Sequence, residues 1–449
     1  MVLSAIGAGM DGHLPAAEHE QEGNMRHPKD MSRRQFLTRA GGAAIAMPSL
    51  AAILAACTKP GTTTPGGSNS ALDNIPIATL DAPVTLPLTQ DPIASDTPME
   101  SGPLVLYNWA DYIYKKVVAD FEAKYGVDVQ ITTFNNLEEG IQKVVNGQVV
   151  PDVFVPTPGY LRRLVAKDLL QPLNHDLIPN MTTTVWPSYS NPGPYYDLGW
   201  NYTVPYTIYT WGVAYRRDLI VPGNETGSDQ SIASQGWNAL WNHDYAGKIS
   251  LYDSYGDTIA ITILRNGSLD VNSQDPAVID AAKTAIEQTI NDNDARLTIN
   301  GVYAKLPTGD YEVAEAWSGD IVGAQFYLPK GLSTDVLGYW KPEDGKTMIG
   351  NDLLVIPKSS QNPRLAHAFL NFMLDEKEGT ENFTQWNGYQ PPFNSIQPDT
   401  LVKDGIVPES LASAVVTEDM FKKDLTPYEL PSEVDQMWLD AWTEIKAGA

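Results

Sequence analysis

The chain has 449 residues, more than one ordinary hydrophobic core accommodates, so its length predicts two or three compact units. Its formal net charge of −25 argues against a nucleic-acid or anionic-membrane surface and suits cationic partners. Hydrophobic residues make up 43% of the chain, with 11 Trp and 21 Tyr, which indicates a globular protein rather than a disordered one.

Residues 1–56 have the features of an export signal. The arginine pair Arg33-Arg34 precedes an Ala/Gly-rich apolar stretch, which Pro48 interrupts and which is too short for a stable membrane span. The order of these features resembles a twin-arginine signal, and Cys57 at the end of LAAC matches a bacterial lipobox, where the cysteine is lipidated. We therefore expect an exported protein that is lipid-anchored at the outer face of the cytoplasmic membrane or in the periplasm.

Residues 57–103 are rich in Pro, Thr, Ser, Gly and Asp. A segment of this composition buries too little apolar area to order itself, so we expect a lipidated cysteine followed by a disordered tether. The folded part is then predicted to begin at about residue 104.

The next elements alternate between strand and helix patterns. In chain order, they are LVLYN (strand), YIYKKVVADFEAKYG (helix), VDVQITTF (strand), LEEGIQKVVNG (helix), PDVFVPT (strand) and GYLRRLVAKDLL (helix). Such alternation predicts a parallel sheet, where ligands bind outside the carboxyl ends of the strands. YNWADY and VPTPGY both stand at such ends.

The second half begins with a long run that we expect to cross to a second lobe. The predicted elements are VPYTIYTWGVAYRRD (crossing run), KISLYD (strand), GDTIAITILRNG (helix), AEAWSGDIVGAQF (strand-like), MIGNDLLVIP (strand) and AHAFLNFMLDEKEGTENFTQWNG (helix). Asp253 and Asp257 flank one strand-to-helix turn, and Trp317 and Asp320 lie near another. Trp211 and Trp241 are interpreted as core or hinge packing.

Together these segments resemble the substrate-binding components of polyamine (spermidine/putrescine) ABC transporters, over about residues 104–449. The stretches that carry the resemblance are LYNWADYI, PDVFVPTPGYLRRL, VPYTIYTWGVAYR, WNALWNHDYAGKISLYDS, AWSGD, GNDLLVIPKSS, NGYQPPFN and WTEIKAG. The resemblance implies an α/β fold of the type II periplasmic-binding-protein kind, with two lobes joined by hinge strands around a cleft. It implies lobe 1 at 104–212 plus 351–390, and lobe 2 at 213–350 plus 391–449.

Residue by residue, the resemblance implies a ligand site of carboxylates, aromatic rings and one hydroxyl. Its members are Trp109, Asp111, Tyr112, Thr157, Tyr160, Asp253, Asp257, Trp317, Asp320, Asp352 and Tyr389. Asp253 and Asp257 could share one role, with the other residue capping a helix. The chain departs from the family at Gly350, where members carry an aromatic residue, at Pro158-Gly159, which replaces bulkier residues, and at Thr443. These departures leave open which polyamine is preferred.

These residue types suit a flexible chain of methylenes and ammonium groups. Aromatic faces contact the methylenes and attract the cations, while carboxylates form charge-assisted hydrogen bonds with the ammonium groups. We therefore expect a monomeric binding protein that captures putrescine or spermidine for a membrane permease and binds no nucleic acid. Another organic cation, a sugar or ferric ion in the same fold is the alternative, followed by an exported enzyme or an adhesion protein.

Neither a metal centre nor catalysis is expected from the sequence. The six His show no metal-ligand spacing, and no G-x-S-x-G, H-E-x-x-H or P-loop motif is present. We expect no cofactor.

Overall fold

The fold is a mixed α/β architecture of two lobes, each built on its own β-sheet. The computed structural model describes residues 74–134, 136–298 and 302–448. Within these ranges, no helix combines the length and the apolar character needed to cross a bilayer. The predicted signal region and Cys57 lie outside the described residues.

Lobe 1 contains a parallel three-stranded sheet with the strand order β2-β1-β3. Its elements are β1 (Leu104–Trp109), α1 (Lys115–Tyr125), β2 (Val129–Phe134), α2 (Leu137–Val145), β3 (Val153–Phe154) and α3 (Pro158–Ala166). Leu104 pairs with Val129 of β2, and Leu106 pairs with Val153 of β3. Because the strands are parallel, their carboxyl ends meet at one edge of the sheet.

The first helix follows directly from its sequence pattern. Val117 and Phe121 are fully buried one helical turn apart, and the Phe121 ring packs against Phe369 and Phe372. The helix ends at Gly126, whose φ of 69° is a left-handed conformation that glycine adopts without a steric penalty.

Lobe 2 contains a larger mixed sheet with the strand order β6-β5-β7-β4-β8. Its strands are β4 (Val204–Arg216), β5 (Ile249–Leu251), β6 (Arg296–Leu297), β7 (Val313–Trp317) and β8 (Leu337–Trp340). β5 runs parallel to β6 and β7, whereas β4 is antiparallel to β7 and β8.

Two strands connect the lobes, one of thirteen residues and one of six. The second half of β4 pairs with β7 and β8, while its first half pairs with β9 (Ile349–Leu354). Directly after β9, Val355 bridges to Phe154 of β3 in lobe 1. The prediction that the run 204–218 crosses between the lobes is confirmed for Val204–Arg216, which form β4, and the predicted lobe boundaries stay a prediction.

Helices surround both sheets. They are α4 (Asn180–Thr183), α5 (Pro187–Ser190), α6 (Arg217–Ile220), α7 (Glu225–Gln235), α8 (Tyr255–Arg265), α9 (Pro276–Asn293), α10 (Val302–Thr308), α11 (Ser318–Ala324), α12 (Pro363–Met373), α13 (Glu376–Asn382), α14 (Pro398–Lys403), α15 (Glu418–Lys423) and α16 (Ser432–Gly448). Short 3-10 turns lie at His175–Leu177, Gly236–Trp241, His243–Tyr245, Gln325–Tyr327, Thr334–Val336 and Glu409–Ala414, and a π turn at Phe383–Asn387.

Two predicted elements differ from the structure. The strand-like run AEAWSGDIVGAQF is a strand only as far as Trp317, because α11 begins at the next residue. The single helix predicted for residues 366–388 is instead two helices and a π turn. The break lies at Asp375, whose carboxylate caps α13 by accepting from the backbone N–H groups of Lys377 and Glu378.

The expectation of a disordered tether is wrong for residues 74–103, which we call the N-terminal strap. Val84 and Leu86 of the strap are buried, and Val84 exchanges backbone hydrogen bonds of 2.8 Å with Tyr195 and Leu198. Farther along, Glu100 accepts hydrogen bonds from the first turn of α12. The composition suggested disorder because the strap cannot bury its few apolar side chains by itself. In the folded protein, the rest of the chain provides a surface against which these side chains are buried.

A buried group of ion pairs joins α3 of lobe 1 to the C-terminal segment, and we call it the arginine cluster. It consists of Arg162, Arg163, Glu429, Asp435 and Tyr255. Arg163 contacts Glu429 at 2.6 Å and Asp435 at 3.2 Å. Arg162 binds the same Glu429 carboxylate through two nitrogens at 2.5 and 2.8 Å.

Candidate ligand-binding site

Asp352 on the crossing strand β9 is the first of three carboxylates between the two sheets. It is 5% exposed and accepts a hydrogen bond of 2.5 Å from the hydroxyl of Tyr112, which follows β1. Thr207 and Tyr209 on the neighbouring strand β4 donate to it at 3.2 and 3.3 Å. Burial raises the pKa of Asp352 to about 6, although these hydrogen bonds act in the opposite direction.

Asp320 is the second carboxylate and lies in the first turn of α11. It is 5% exposed, and the hydroxyls of Tyr252 and Tyr389 each donate to it at 2.6 Å. Burial raises the pKa of Asp320 to about 6. The Tyr389 ring lies directly on Gly319, where an added Cβ would come within 2.2 Å of the ring, so this contact requires glycine.

Asp257 is the third carboxylate and lies in the first turn of α8, where it is partly buried. The indole Nε1 of Trp211 donates to it at 3.0 Å, and burial raises the pKa of Asp257 to about 6. The Trp211 ring occupies the space above Gly350, where an added Cβ would lie 2.6 Å from the ring. β4 therefore supplies an aromatic ring at the position where the resemblance expected one on β9.

Aromatic rings fill the space between the carboxylates. The ring pairs and their centroid distances are Tyr112–Tyr389 at 5.0 Å, Tyr209–Trp211 at 5.2 Å, Tyr209–Tyr389 at 5.6 Å, Tyr209–Trp317 at 6.0 Å and Tyr252–Trp317 at 4.0 Å. Tyr209 is central: burial raises the pKa of its hydroxyl, and the charges of all three carboxylates raise it further. The carboxylates therefore face a common set of rings.

The electrostatic character of the site is anionic. Across the described part of the chain, no Lys or Arg forms an ion pair or hydrogen bond with Asp257, Asp320 or Asp352; their hydrogen-bond partners are hydroxyl and indole groups. Burying carboxylates without a counter-charge is costly, and a bound cation would remove that cost. The arrangement therefore fits a ligand that carries positive charge.

The structure brings together six residues that the sequence predicted for the site. They are Tyr112, Asp257, Trp317, Asp320, Asp352 and Tyr389. Asp253 has different partners: it forms an ion pair with Lys446 at 2.8 Å and accepts a hydrogen bond from the indole of Trp442. Of the two aspartates around β5, the one at 257 is therefore the one beside the rings.

The other four predicted site residues belong to lobe 1 and are not among the six that the structure brings together. Trp109 is partly buried and packs on Phe134, with ring centroids 4.7 Å apart. Asp111 is exposed, with a φ of 55°. Thr157 occupies the N-cap position of α3 without a side-chain capping bond, and Tyr160 in the same helix donates to Glu138.

Sequence reasoning missed Thr207 and Tyr209 and assigned Trp211 to packing. These residues alternate along β4 and place their side chains on one face of the strand. All thirteen residues of β4 are buried, so its alternating polar and aromatic positions were hidden in a run that resembles a core strand. The regular spacing of Thr207, Tyr209 and Trp211 was the signal that could have identified them.

One acidic group elsewhere has carboxylate oxygens close enough for a metal ion. Asp120, Glu378 and Glu381 have ligand atoms within 4.8 Å of one another. The ammonium groups of Lys116 and Lys377 already contact this group at 2.6–3.0 Å, so it is largely neutralised within the protein.

Two α/β lobes joined by crossing strands, with a polar and aromatic site between the two sheets, define the architecture of a solute-binding protein. The chain belongs to the family of bacterial extracellular solute-binding proteins, whose family model matches residues 116–409, more than half of its length. This is a family of binding proteins and not of enzymes.

Two relatives match most of the chain at low sequence identity. The spermidine/putrescine-binding periplasmic protein 1 of Haemophilus influenzae is 25% identical over 68% of this chain and 78% of its own. The putrescine-binding periplasmic protein PotF of Escherichia coli is 23% identical over 78% of this chain and 92% of its own.

Solved structures agree on the fold. The spermidine/putrescine ABC transporter substrate-binding protein PotD of Streptococcus pneumoniae has a TM-score of 0.59 and 22% identity, covering 77% of this chain and 98% of its own. The TpPotD lipoprotein of Treponema pallidum has a TM-score of 0.61 and 19% identity, covering 76% and 98%. The predicted two-lobed periplasmic-binding-protein fold is thereby confirmed.

Proposed function

We propose that this protein captures a polyamine, putrescine or spermidine, outside the cytoplasm and delivers it to the membrane permease of an ABC importer. The observation that carries the proposal is the meeting of Asp257, Asp320 and Asp352 around one group of rings, with hydroxyl and indole donors as their partners. The relatives named for spermidine and putrescine binding support it.

The chemistry of the site matches a slender polycation. Ammonium groups donate strong hydrogen bonds to carboxylates, and each ring face that a cation meets contributes about 0.5–2 kcal/mol. Tyr209 and Trp317 provide such faces between Asp352 and Asp320, which accept from opposite members of the Tyr112–Tyr389 pair. A neutral sugar would leave these carboxylates without a counter-charge, which disfavours the sugar alternative.

Calorimetric titration of the purified protein with putrescine and spermidine tests the ligand. We expect saturable binding to a single site per chain, with a neutral disaccharide and a monoamine as comparison ligands. Absence of heat and of any thermal shift with both polyamines at millimolar concentration would refute the proposal. Tighter binding of the disaccharide would favour the sugar alternative.

Delivery to a permease requires a test in cells. Deletion of the gene should lower uptake of radiolabelled putrescine or spermidine, and the intact gene should restore it. Restoration by a variant with Asp320→Asn and Asp352→Asn would show that uptake does not depend on this site.

We also propose that the protein is exported as a monomer through its twin-arginine signal and anchored through a lipid on Cys57. The spacing of the arginine pair, the apolar stretch and the lipobox supports this. Cys57→Ala should move the protein from the membrane fraction to the soluble fraction, and an arginine-pair variant, Arg33→Lys with Arg34→Lys, should retain it in the cytoplasm. Unchanged fractionation of Cys57→Ala would contradict the lipid anchor, and light scattering tests the monomer.

A further inference from the structure

Glu315 is a fully buried acidic residue in the middle of β7 for which the proposed site has no assigned role. Its side chain is 0% exposed. One carboxyl oxygen accepts from the backbone N–H of Tyr252 at 3.0 Å and from the Thr258 hydroxyl at 2.8 Å. The other oxygen, Oε1, is buried and has no hydrogen-bond partner in the described parts of the chain. A buried acceptor left in this way is unusual and calls for a physical reason.

The residues around Glu315 place it directly behind the candidate site. Glu315 and Trp317 are two residues apart on β7 and so lie on the same face of the strand. Tyr252 links the two layers, because its N–H binds Glu315 while its hydroxyl binds Asp320 and its ring stacks on Trp317 at 4.0 Å. Thr258, the donor to Glu315, follows Asp257 in α8.

The groups that face Glu315 offer it no counter-charge. Tyr252 directly after β5 and Thr258 on α8 are neutral donors, and Val213 is the residue opposite it on β4. The charged group that acts on Glu315 is Asp257, which is itself a carboxylate. Among the residues that the structure describes, no Lys or Arg is paired with Glu315. Burial raises the pKa of Glu315 to about 8, and Asp257 adds to the rise.

We propose that Glu315 carries a proton in the ligand-free protein and that capture of a cation expels this proton. The inference rests on the proposed function. In the empty site, burial and the charge of Asp257 both disfavour the ionised form of Glu315, so the two carboxylates together bear one negative charge. An ammonium group at Asp257 offsets the repulsion, so that the proton on Glu315 leaves for the bulk buffer as the ligand enters. Polyamine capture is then linked to proton release.

Infrared spectroscopy of the ligand-free protein tests the protonated state. At neutral pH we expect an absorption band of protonated carboxylic acids, of which Glu315→Gln removes the larger part; the remainder comes from the buried Asp197, whose pKa burial raises to about 7. The matched control is Glu225→Gln, which changes an exposed glutamate and should leave the band in place. A wild-type protein without this band at pH 7 overturns the proposal, whether or not a polyamine binds. Glutamine is nearly isosteric and can accept the same two hydrogen bonds, so we expect the variant to fold.

Calorimetry tests the expulsion. Spermidine is titrated into the full chain at pH 7 in buffers with different heats of ionisation, and the dependence of the heat on the buffer gives the number of protons released. We expect the wild type and Glu225→Gln to release about 0.5–1 proton per spermidine more than Glu315→Gln. Asp257, Asp320 and Asp352, whose pKa values are about 6, are each about one-tenth protonated at this pH, so together they add at most about 0.3 proton in all three proteins.

The outcomes separate the two proposals. Binding without a buffer-dependent heat overturns proton expulsion and leaves the proposed function standing. Equal proton release from wild type and Glu315→Gln overturns the assignment to Glu315. If no polyamine binds, the proposed function fails, and the infrared band alone decides whether Glu315 is protonated. If Glu315→Gln does not fold, an unchanged intensity of the wild-type carboxylic-acid band after saturation with spermidine overturns the proposal, and a loss of the larger part of the band supports it.

Discussion

Asp320 and Asp352 in the candidate site can be compared with Glu429 and Asp435 in the arginine cluster, because all four carboxylates are at most 9% exposed. Glu429 and Asp435 contact Arg163 at 2.6 and 3.2 Å. The carboxylates of the site are bound by tyrosine and threonine hydroxyls instead. The acidic residues of the arginine cluster thus have cationic side chains as partners, whereas those of the candidate site have neutral donors.

The difference indicates what each group contributes. Where charge holds elements together, as between α3 and α16, the chain supplies its own guanidinium groups, and breaking the pairs costs stability. In the candidate site, the uncompensated negative charge lowers the stability of the ligand-free protein. The same charge favours binding of a cationic ligand. The comparison therefore predicts opposite effects of neutralising the two groups.

The largest effect is expected on removing a cation from the arginine cluster. Arg163→Ala leaves Asp435 and part of Glu429 unpaired inside the protein, so the free energy of unfolding should fall by about 3–5 kcal/mol. Urea denaturation measures it. Arg296→Ala is the control. The side chains of Arg296 and its ion-pair partner Asp294 are 61% and 52% exposed, so this pair contributes at most about 1 kcal/mol to stability. Equal losses in the two variants would contradict a special role of burial.

Neutralising the site should act on binding and not on folding. Asp320→Asn combined with Asp352→Asn is expected to weaken polyamine binding about a hundredfold, since each charge-assisted contact contributes about 1.5–3 kcal/mol. The ligand-free double variant should be at least as stable as the wild type at neutral pH, because it lacks two uncompensated charges. Calorimetry and urea denaturation measure the two quantities, with the exposed Asp310→Asn as control.

A double variant that binds normally would remove both aspartates from the site. A variant that loses binding only because it unfolds would place these carboxylates with the structural ones, and the contrast between the two groups would disappear.

The pH dependence sharpens the comparison further. Burial raises the pKa values of Asp257, Asp320 and Asp352 to about 6, and a cation binds their ionised forms, so affinity should rise about tenfold or more between about pH 5 and pH 7.5. The ligand-free protein should show the opposite trend. Between about pH 4 and pH 6 its folded state holds protons that the unfolded chain has released, so these groups make unfolding easier as pH rises.

Calorimetric affinities and thermal unfolding across this range check both trends. The double variant at Asp320 and Asp352 should have a flatter profile in each experiment. An affinity that is independent of pH over this range would mean that the carboxylates of the site have ordinary pKa values.

Much of the site was accessible from the sequence because it follows the ends of strands. Tyr112 comes after β1, Asp257 after β5, and Asp320 after β7, and each such end was recognisable from an apolar run that stops at polar residues. The pairing of hydroxyls with carboxylates was not accessible, since Tyr112 and Asp352 are 240 residues apart and meet only in the folded chain. The N-terminal strap was mispredicted for the same reason, because Val84 and Leu86 are buried by partners more than a hundred residues away.

Trp211 shows how a residue of the crossing strand can be read as packing and still serve the site, and it gives the smallest expected effect. Trp211→Phe keeps a ring above Gly350 but removes the Nε1–H that binds Asp257 at 3.0 Å. Loss of this bond should raise the pKa of Asp257 and weaken polyamine binding about two- to fivefold at neutral pH. The difference in affinity between the variant and the wild type should become smaller as the pH is raised. Trp241→Phe is the matched control, because its Nε1 donates to the backbone carbonyl of Ala285 instead. Equal losses of affinity in the two variants would assign Trp211 to packing alone, whereas a pH-dependent loss confined to Trp211→Phe would show that its hydrogen bond holds Asp257 in the ionised form that a cation requires.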